Sequence, residues 1–478
     1  MTKRDLFFLL PIPIVAIAYI LIPFTNDVRI FQGVARLVDY YGSFPSSLDA
    51  AWEMKPLGNR LIHYLLYKMV TPLTDFGSPL YPVLVKAVCV VVALVCCWYF
   101  ATSFTKERVP IFAISSLALL TATNFVVMQA EWFAVLACLV CIGMLNRDNL
   151  GAYTVSGFLM FFMFLLKGIS GLLIIPILCY LYIVTENPYV FFERTAYAFL
   201  GFLMAGAAFL AMCLTVFPHA IPDMMMSAAL ARVGQYPVTT YLNSMFAGMG
   251  TLSMYVPAFV FTVAIGLYVL VTVRLSKLKF AALLLMWLVP FLMVLAQGEF
   301  FLYHYFVLIF PGILSVVYLA TSEPGDLRVL YSLVLIPMLA LWLIFNSPVG
   351  IVTKDEVAFY AGEMPNADEA NRLFNISDQA EVLFLDPGAS VYFFSPNTSC
   401  RYSAPLPVQR HTAQWNLTGL PAYQEEYTCI MNYSGRFVVG LDWWLGRDLP
   451  ERREIYEKFD RGYVKVWNKS WDIYQRRL

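Results

Sequence analysis

Apolar runs about as long as a bilayer is thick recur along this chain, and they decide its fold class before any single residue is weighed. They lie roughly at 6–24, 80–102, 110–128, 130–146, 151–167, 169–185, 196–216, 250–273, 280–296, 304–321 and 328–345. A membrane span needs about 20 such residues. In hydrocarbon every backbone N–H and C=O must bond within its own segment, so each run is expected to be helical. The expectation is a polytopic α-helical membrane protein with about eleven transmembrane helices. Composition agrees: 13% of the 478 residues are charged and 60% are hydrophobic, against about 25% charged in soluble domains. Net charge is zero, which argues against nucleic acid as a partner. The opening MTKRDLFFLLPIPIVAIAYILIPF resembles a signal peptide in its basic start and apolar run. No small-x-small cleavage site follows it and many more spans do, so it is taken as the first span.

Orientation follows from basic residues in short connections. Lys3 and Arg4, Lys106 and Arg108, Arg147, Arg194, Arg274 with Lys277 and Lys279, and Arg328 fall on alternate connections. That side is expected to be cytoplasmic, together with the N-terminus. An odd number of spans then puts residues 350–478 outside, in a plasma membrane or endoplasmic reticulum. Five N-x-S/T sequons, at Asn375, Asn397, Asn416, Asn432 and Asn468, all follow residue 370, as expected of a segment facing the glycosylating side. Seven of nine cysteines lie in apolar runs, where a thiol packs as a small hydrophobe. The other two, Cys400 and Cys429, are a candidate disulfide if their region faces an oxidising space.

Two domains are expected: 1–349 in the membrane, and 350–478 as a small extracytoplasmic α/β domain. The second has strand-like runs at 381–386, 391–394, 436–441 and 463–467, with helix-like stretches at 366–380 and 449–460. Two outer loops are long, 25–79 and 217–249, and long loops in compact folds are usually functional. Within the first, LGNRLIHYLLYKMVTPL has apolar residues at helical spacing with basic residues on the other face, which suits an interfacial helix.

Ionisable residues near spans are costly and need a reason. Topology counting brings Asp27, Lys86, Glu131, Lys167, Glu299 and His304 toward one outer layer, with Lys86 about 9 Å into its span at 1.5 Å per residue. Singly, each has a plain alternative. Lys86 or Lys167 can snorkel to headgroups, Glu131 can pair with a lysine, and His304 can belong to an aromatic belt. Snorkelling does not explain why acids, bases and a histidine share one side. A lipid-phosphate leaving group calls for cations against its developing charge, and an acceptor hydroxyl calls for one carboxylate as general base.

Four patterns resemble the GT-C superfamily of integral-membrane glycosyltransferases, nearest to its protein O-mannosyltransferase and aminoarabinose-transferase branch. They are Asp27 followed by VRIFQGVAR, EMKPLGNRL at 53–61, FLLKGISGLLIIPI around Lys167, and YHYFVLIFPGILSV at 303–316. The resemblance implies transfer of a monosaccharide, a hexose such as mannose, from a polyprenyl- or dolichyl-phosphate donor. The acceptor would be a protein, glycan or lipid on the outer or lumenal face, and the anomeric centre would invert. It implies Asp27 as catalytic base and Lys55 at the donor phosphate, with Lys167 and His304 near the donor pocket; Arg60 and Arg232, by charge and place in the two long loops, are further candidate donor-phosphate contacts. Glu53, Lys86, Glu131 and Glu299 would complete the pocket. Arg232, with Gln235 and Tyr236, is either a lid or an interfacial anchor. The chain departs from the family's acidic pair, since Val28 follows Asp27, and from its Glu-Lys-Pro-Pro segment. The donor sugar and any divalent metal therefore stay open. LDWWLGRD at 441–448 resembles an oligosaccharyltransferase motif but has Leu445 where the acid should stand, so Trp443 and Trp444 read as packing aromatics. The alternatives are a transporter or flippase and a non-catalytic envelope scaffold. Transporters tend to show inverted repeats and midplane sites, and no internal repeat is evident.

Overall fold

The structure is a computed structural model that describes residues 3–21, 24, 26–51, 55–76, 78, 80–121, 128–225, 243–250, 257–297, 302–322, 324–345, 382–385, 418–444, 449–468 and 472–477. Four of its helices are long and apolar enough to cross a membrane: Leu80–Thr102, Pro188–Thr215, Lys277–Gln297 and Leu302–Ser322. Shorter apolar helices fall in Asp5–Leu21, Arg108–Leu120, Ala130–Leu145, Leu150–Leu166, Gly168–Val184, Phe259–Thr272 and Leu327–Ala340. The chain is thus a helical membrane-type protein, and it also carries a small C-terminal sheet.

Proline explains where apolar runs are interrupted. The first run forms two helices, Lys3–Leu9 and Pro11–Leu21. Pro11 and Pro13 each lack the N–H that a continuous helix would use. The last run passes through a π turn at Tyr331–Leu335 just before Pro337. There the Ile336 N–H bonds back five residues to the Tyr331 carbonyl.

The chain divides into two compact units. The first comprises residues 1–25, 80–211 and 236–354. A close crossing joins the Leu150–Leu166 and Pro188–Thr215 helices. A Cβ added at Gly157 would lie 1.9 Å from the Ala198 carbonyl oxygen, and one at Gly201 would lie 1.9 Å from that of Thr154. Only glycine lets these backbones approach so closely.

The second unit comprises residues 26–79, 212–235 and 355–478. Its Asn26–Tyr41 helix buries Val28, Phe31, Ala35 and Val38, an apolar stripe at helical spacing. It packs against the Leu57–Val70 helix. In that helix Lys68 is exposed and pairs with Asp39 at 2.8 Å, but Arg60 and His63 are fully buried rather than on a wet face. Buried polar partners make this possible. Gln32 Nε2 donates to His63 Nδ1 at 2.7 Å.

The C-terminal sheet has the order β1 (Val382–Phe384), β2 (Phe437–Val439), β4 (Asp472–Arg476), β3 (Tyr463–Asn468). β1 and β2 are parallel, and the β2–β4 and β3–β4 pairs are antiparallel. Ile455 and Phe459 of the Pro450–Gly462 helix and Tyr423 and Ile430 of the Pro421–Asn432 helix share one core with Val438 and Tyr474. Gly440 leaves β2 with φ of 81°, a left-handed turn that favours glycine. The runs at 381–386, 436–441 and 463–467 thus contain strands, and 449–460 a helix; 366–380 and 391–394 lie outside the described residues.

Candidate functional site

The first unit gathers three of the ionisable residues singled out in the sequence. Glu131 sits in the first turn of the Ala130–Leu145 helix, where the backbone N–H groups favour an anion. Two features fix that helix start. Trp132 Nε1 donates to the Leu119 carbonyl at 3.0 Å. Met128, just before it, is buried and held at φ of 57°, an unusual value for a side chain of this size. Strain of this kind concentrates at functional sites.

Lys167 ends the Leu150–Leu166 helix, in extended backbone before a 3₁₀ turn at Gly168–Leu173. Its ammonium donates to Glu131 Oε1 at 2.5 Å and to the side-chain oxygen of Gln297. It also lies 5.6 Å from the centre of the Tyr303 ring, within reach of a cation–π contact. Gln297 is oriented by its own amide, which donates to the Met293 carbonyl at 3.3 Å.

His304 lies on the 3₁₀ turn Leu302–Leu308, with Nε2 3.9 Å from Glu131 Oε1. That is too long for a hydrogen bond but close enough for charge to be felt. Tyr303 meets the imidazole edge to face at 4.5 Å. Tyr305 donates its hydroxyl to the Met245 carbonyl at 2.9 Å and so anchors the turn. Glu131 is 1% exposed and His304 2%. Glu131 Oε2 has no hydrogen-bond partner among the described residues. The result is a carboxylate, an ammonium, an amide and an imidazole converging from four separate chain segments among apolar helices. Such a group can hold an anionic headgroup on the lysine and exchange a proton through the carboxylate or imidazole.

The other expected residues are placed as follows. Asp27 falls in the first turn of the Asn26–Tyr41 helix; its side chain lies outside the described residues, as do Glu53, Arg232 and Glu299. Lys55 is 7% exposed. Lys86 is 2% exposed and lies 5.5 Å from the centre of the Phe24 ring. Arg60 Nη1 donates to the carbonyls of Leu48 and Ala51 at 2.7 and 2.9 Å, and Nη2 pairs with Asp223 at 3.3 Å. Its guanidinium therefore closes the end of the short Ser47–Ala50 helix. Asp49 is buried and accepts from His219 Nδ1 at 2.8 Å and from the His219 backbone N–H at 3.3 Å. Among the described residues no group of three or more His, Cys, Asp and Glu is placed to hold a metal.

Cys429 is disulfide-bonded, the seven cysteines of the apolar runs are free thiols, and Cys400 lies outside the described residues. Of the sequons, Asn432 and Asn468 are described and Asn375, Asn397 and Asn416 are not. At the C-terminal sheet Asp442 accepts from Lys465 Nζ at 2.7 Å and from the Tyr474 hydroxyl at 2.9 Å. Burial pushes its carboxyl up, but these bonds together outweigh burial and hold it below its ordinary range. Burial raises neighbouring Asp472.

Sequence reasoning missed Gln297, although an amide ending an apolar helix is a signal of the kind that exposed Lys167. It also missed Asp223, which meets Arg60 across 163 residues with no local cue. No family model matches the chain, and no curated protein matches it.

Proposed function

We propose that this protein is a membrane glycosyltransferase that moves a monosaccharide from a polyprenyl-phosphate donor to a hydroxyl acceptor on the outer face, with inversion. The observation that carries the proposal is the buried Glu131–Lys167–Gln297 group with His304 beside it. Ionisable residues inside an apolar bundle are expensive, and function is the usual reason for keeping them. The GT-C resemblance supplies the reaction class.

In the reaction, the acceptor oxygen attacks the anomeric carbon. The bond from that carbon to the phosphate oxygen breaks, polyprenyl phosphate leaves as an anion, and the hydroxyl proton passes to a carboxylate. Asp27 is assigned as that base and Lys55 as a phosphate contact, both from the resemblance. Lys167 and His304 provide the first unit's cation and imidazole for anionic groups. Arg60 stays a candidate donor contact, although its Nη1 and Nη2 already bind Leu48, Ala51 and Asp223.

The associated topology has eleven spans, a cytoplasmic N-terminus and an external C-terminal domain. Two facts support it. The second unit unites most of 25–79 with part of 217–249 and the C-terminal region, the three parts expected outside. Cys429 is disulfide-bonded, which suits an oxidising compartment. A transporter is the second candidate, because buried acid–base pairs also serve as proton relays.

The test is incubation of purified full-length protein with a panel of polyprenyl-phosphate monosaccharides, reading free polyprenyl phosphate. Release with one donor, reduced about 10²-fold or more by Asp27→Asn, is expected. Release at the wild-type rate by the Asn variant removes Asp27 as base. No release with any donor favours the transporter or a scaffold.

A further inference from the structure

The Pro421–Asn432 helix ends in a sequon, Asn432-Tyr433-Ser434, and the chain turns away at that point. Tyr433 closes the helix in extended backbone, φ −61° and ψ 130°. It is also the buried member of the three. Its hydroxyl donates to the Phe437 carbonyl at 2.8 Å, while Asn432 and Ser434 on either side are exposed. Lys458 Nζ fixes the exit by donating to the carbonyls of Ile430 and Tyr433, both at 2.7 Å. Arg476 Nη1 holds the Ser434 carbonyl at 2.7 Å. The tripeptide is thus pinned through its middle residue and its backbone, and its carboxamide and hydroxyl face solvent.

A second observation comes from the same helix. Cys429, one turn before Asn432, is disulfide-bonded, as expected in the compartment where N-glycosylation takes place. Asn468, the other described sequon, differs. It ends β3 and is paired in register with Asp472, so its backbone belongs to the ladder.

We propose that Asn432 is an N-glycosylation site, modified by a membrane oligosaccharyltransferase using a lipid-pyrophosphate-linked oligosaccharide. In that step Asn432 Nδ2 forms a bond to the anomeric carbon of the first sugar. The bond from that carbon to the pyrophosphate breaks, lipid pyrophosphate leaves, and Nδ2 gives up one proton to the transferase's base. The site requires an extracytoplasmic C-terminal domain but no transferase activity of the chain itself, so it stands or falls apart from the function proposed above.

The test uses full-length protein from its native membranes. A glycan-releasing amidase is expected to speed gel migration and to convert Asn432 to aspartate in the peptide that spans it. Asn432→Gln and Ser434→Ala should each remove one glycan's mass, and Ser434→Thr should keep it, which separates loss of the acceptor from misfolding. An unmodified Asn432 peptide in the native protein overturns the proposal. So does a glycan that persists at Asn432 in the Ser434→Ala variant.

Discussion

A lysine ammonium held between a carboxylate and an amide among apolar helices is stable only as part of the set. Glu131 is 1% exposed, so removing Lys167 leaves a buried charge without its cation. Breaking such a pair costs about 3–5 kcal/mol, whereas replacing both members with apolar groups is often neutral. Lys167→Met is therefore expected to lower the melting temperature sharply, and Glu131→Leu/Lys167→Met to recover much of the loss. The buried free thiols Cys138 and Cys141 can report the melt through a thiol-reactive dye. A double variant as unstable as the single one would show that the two groups are not coupled. Full transfer activity in the recovered double variant would leave the pair a purely structural one. At this scale much of the site was legible. The cost of charge in a bilayer singled out Glu131, Lys167 and His304, and these three meet. The partners of Arg60, Leu48, Ala51 and Asp223, were not legible, because tertiary packing brings them to it and they share no motif.

Helices were the most legible elements, since an apolar run of about 20 residues has few other outcomes. Their interruptions were less so, as the break at Pro11 shows. In the C-terminal sheet the apolar strands β1, β2 and β3 stand out, but β4, DIYQR, is polar and takes its place by pairing with both β2 and β3. The glycine crossing was invisible to sequence, because Gly157 and Gly201 are unremarkable until the two helices meet. Added methyl groups would collide with carbonyl oxygens at 1.9 Å, and overpacking typically costs about 1–3 kcal/mol. Gly157→Ala and Gly201→Ala should each lower the melting temperature. Gly206→Ala on the same Pro188–Thr215 helix should not, since its nearest neighbour is a Phe161 ring atom at 3.4 Å. Alanine is the better helix former, so an equal loss at all three positions would mean that something other than this crossing governs it.

At the scale of the whole molecule, the second unit is assembled from three stretches far apart in the chain. Arg60–Asp223 and Asp49–His219 join the first stretch to the second. In the topology proposed above, all three stretches lie on one side of the membrane, the outer one by the pattern of basic connections. The connection around Arg274 and Lys277 should then face the cytoplasm. Two exposed positions separate these sides: Asp75 in the second unit and Ser276 in that basic connection. On intact cells or right-side-out vesicles, a membrane-impermeant maleimide is expected to label Asp75→Cys at once and Ser276→Cys only after permeabilisation. The unsubstituted chain sets the background, because the seven free thiols among its described residues lie in apolar runs. Labelling of Ser276→Cys alone from outside would invert the orientation and move the second unit to the cytoplasm, away from any extracytoplasmic acceptor. Labelling of both in intact cells would break the alternation of the basic connections, and the eleven-span count would fall with it.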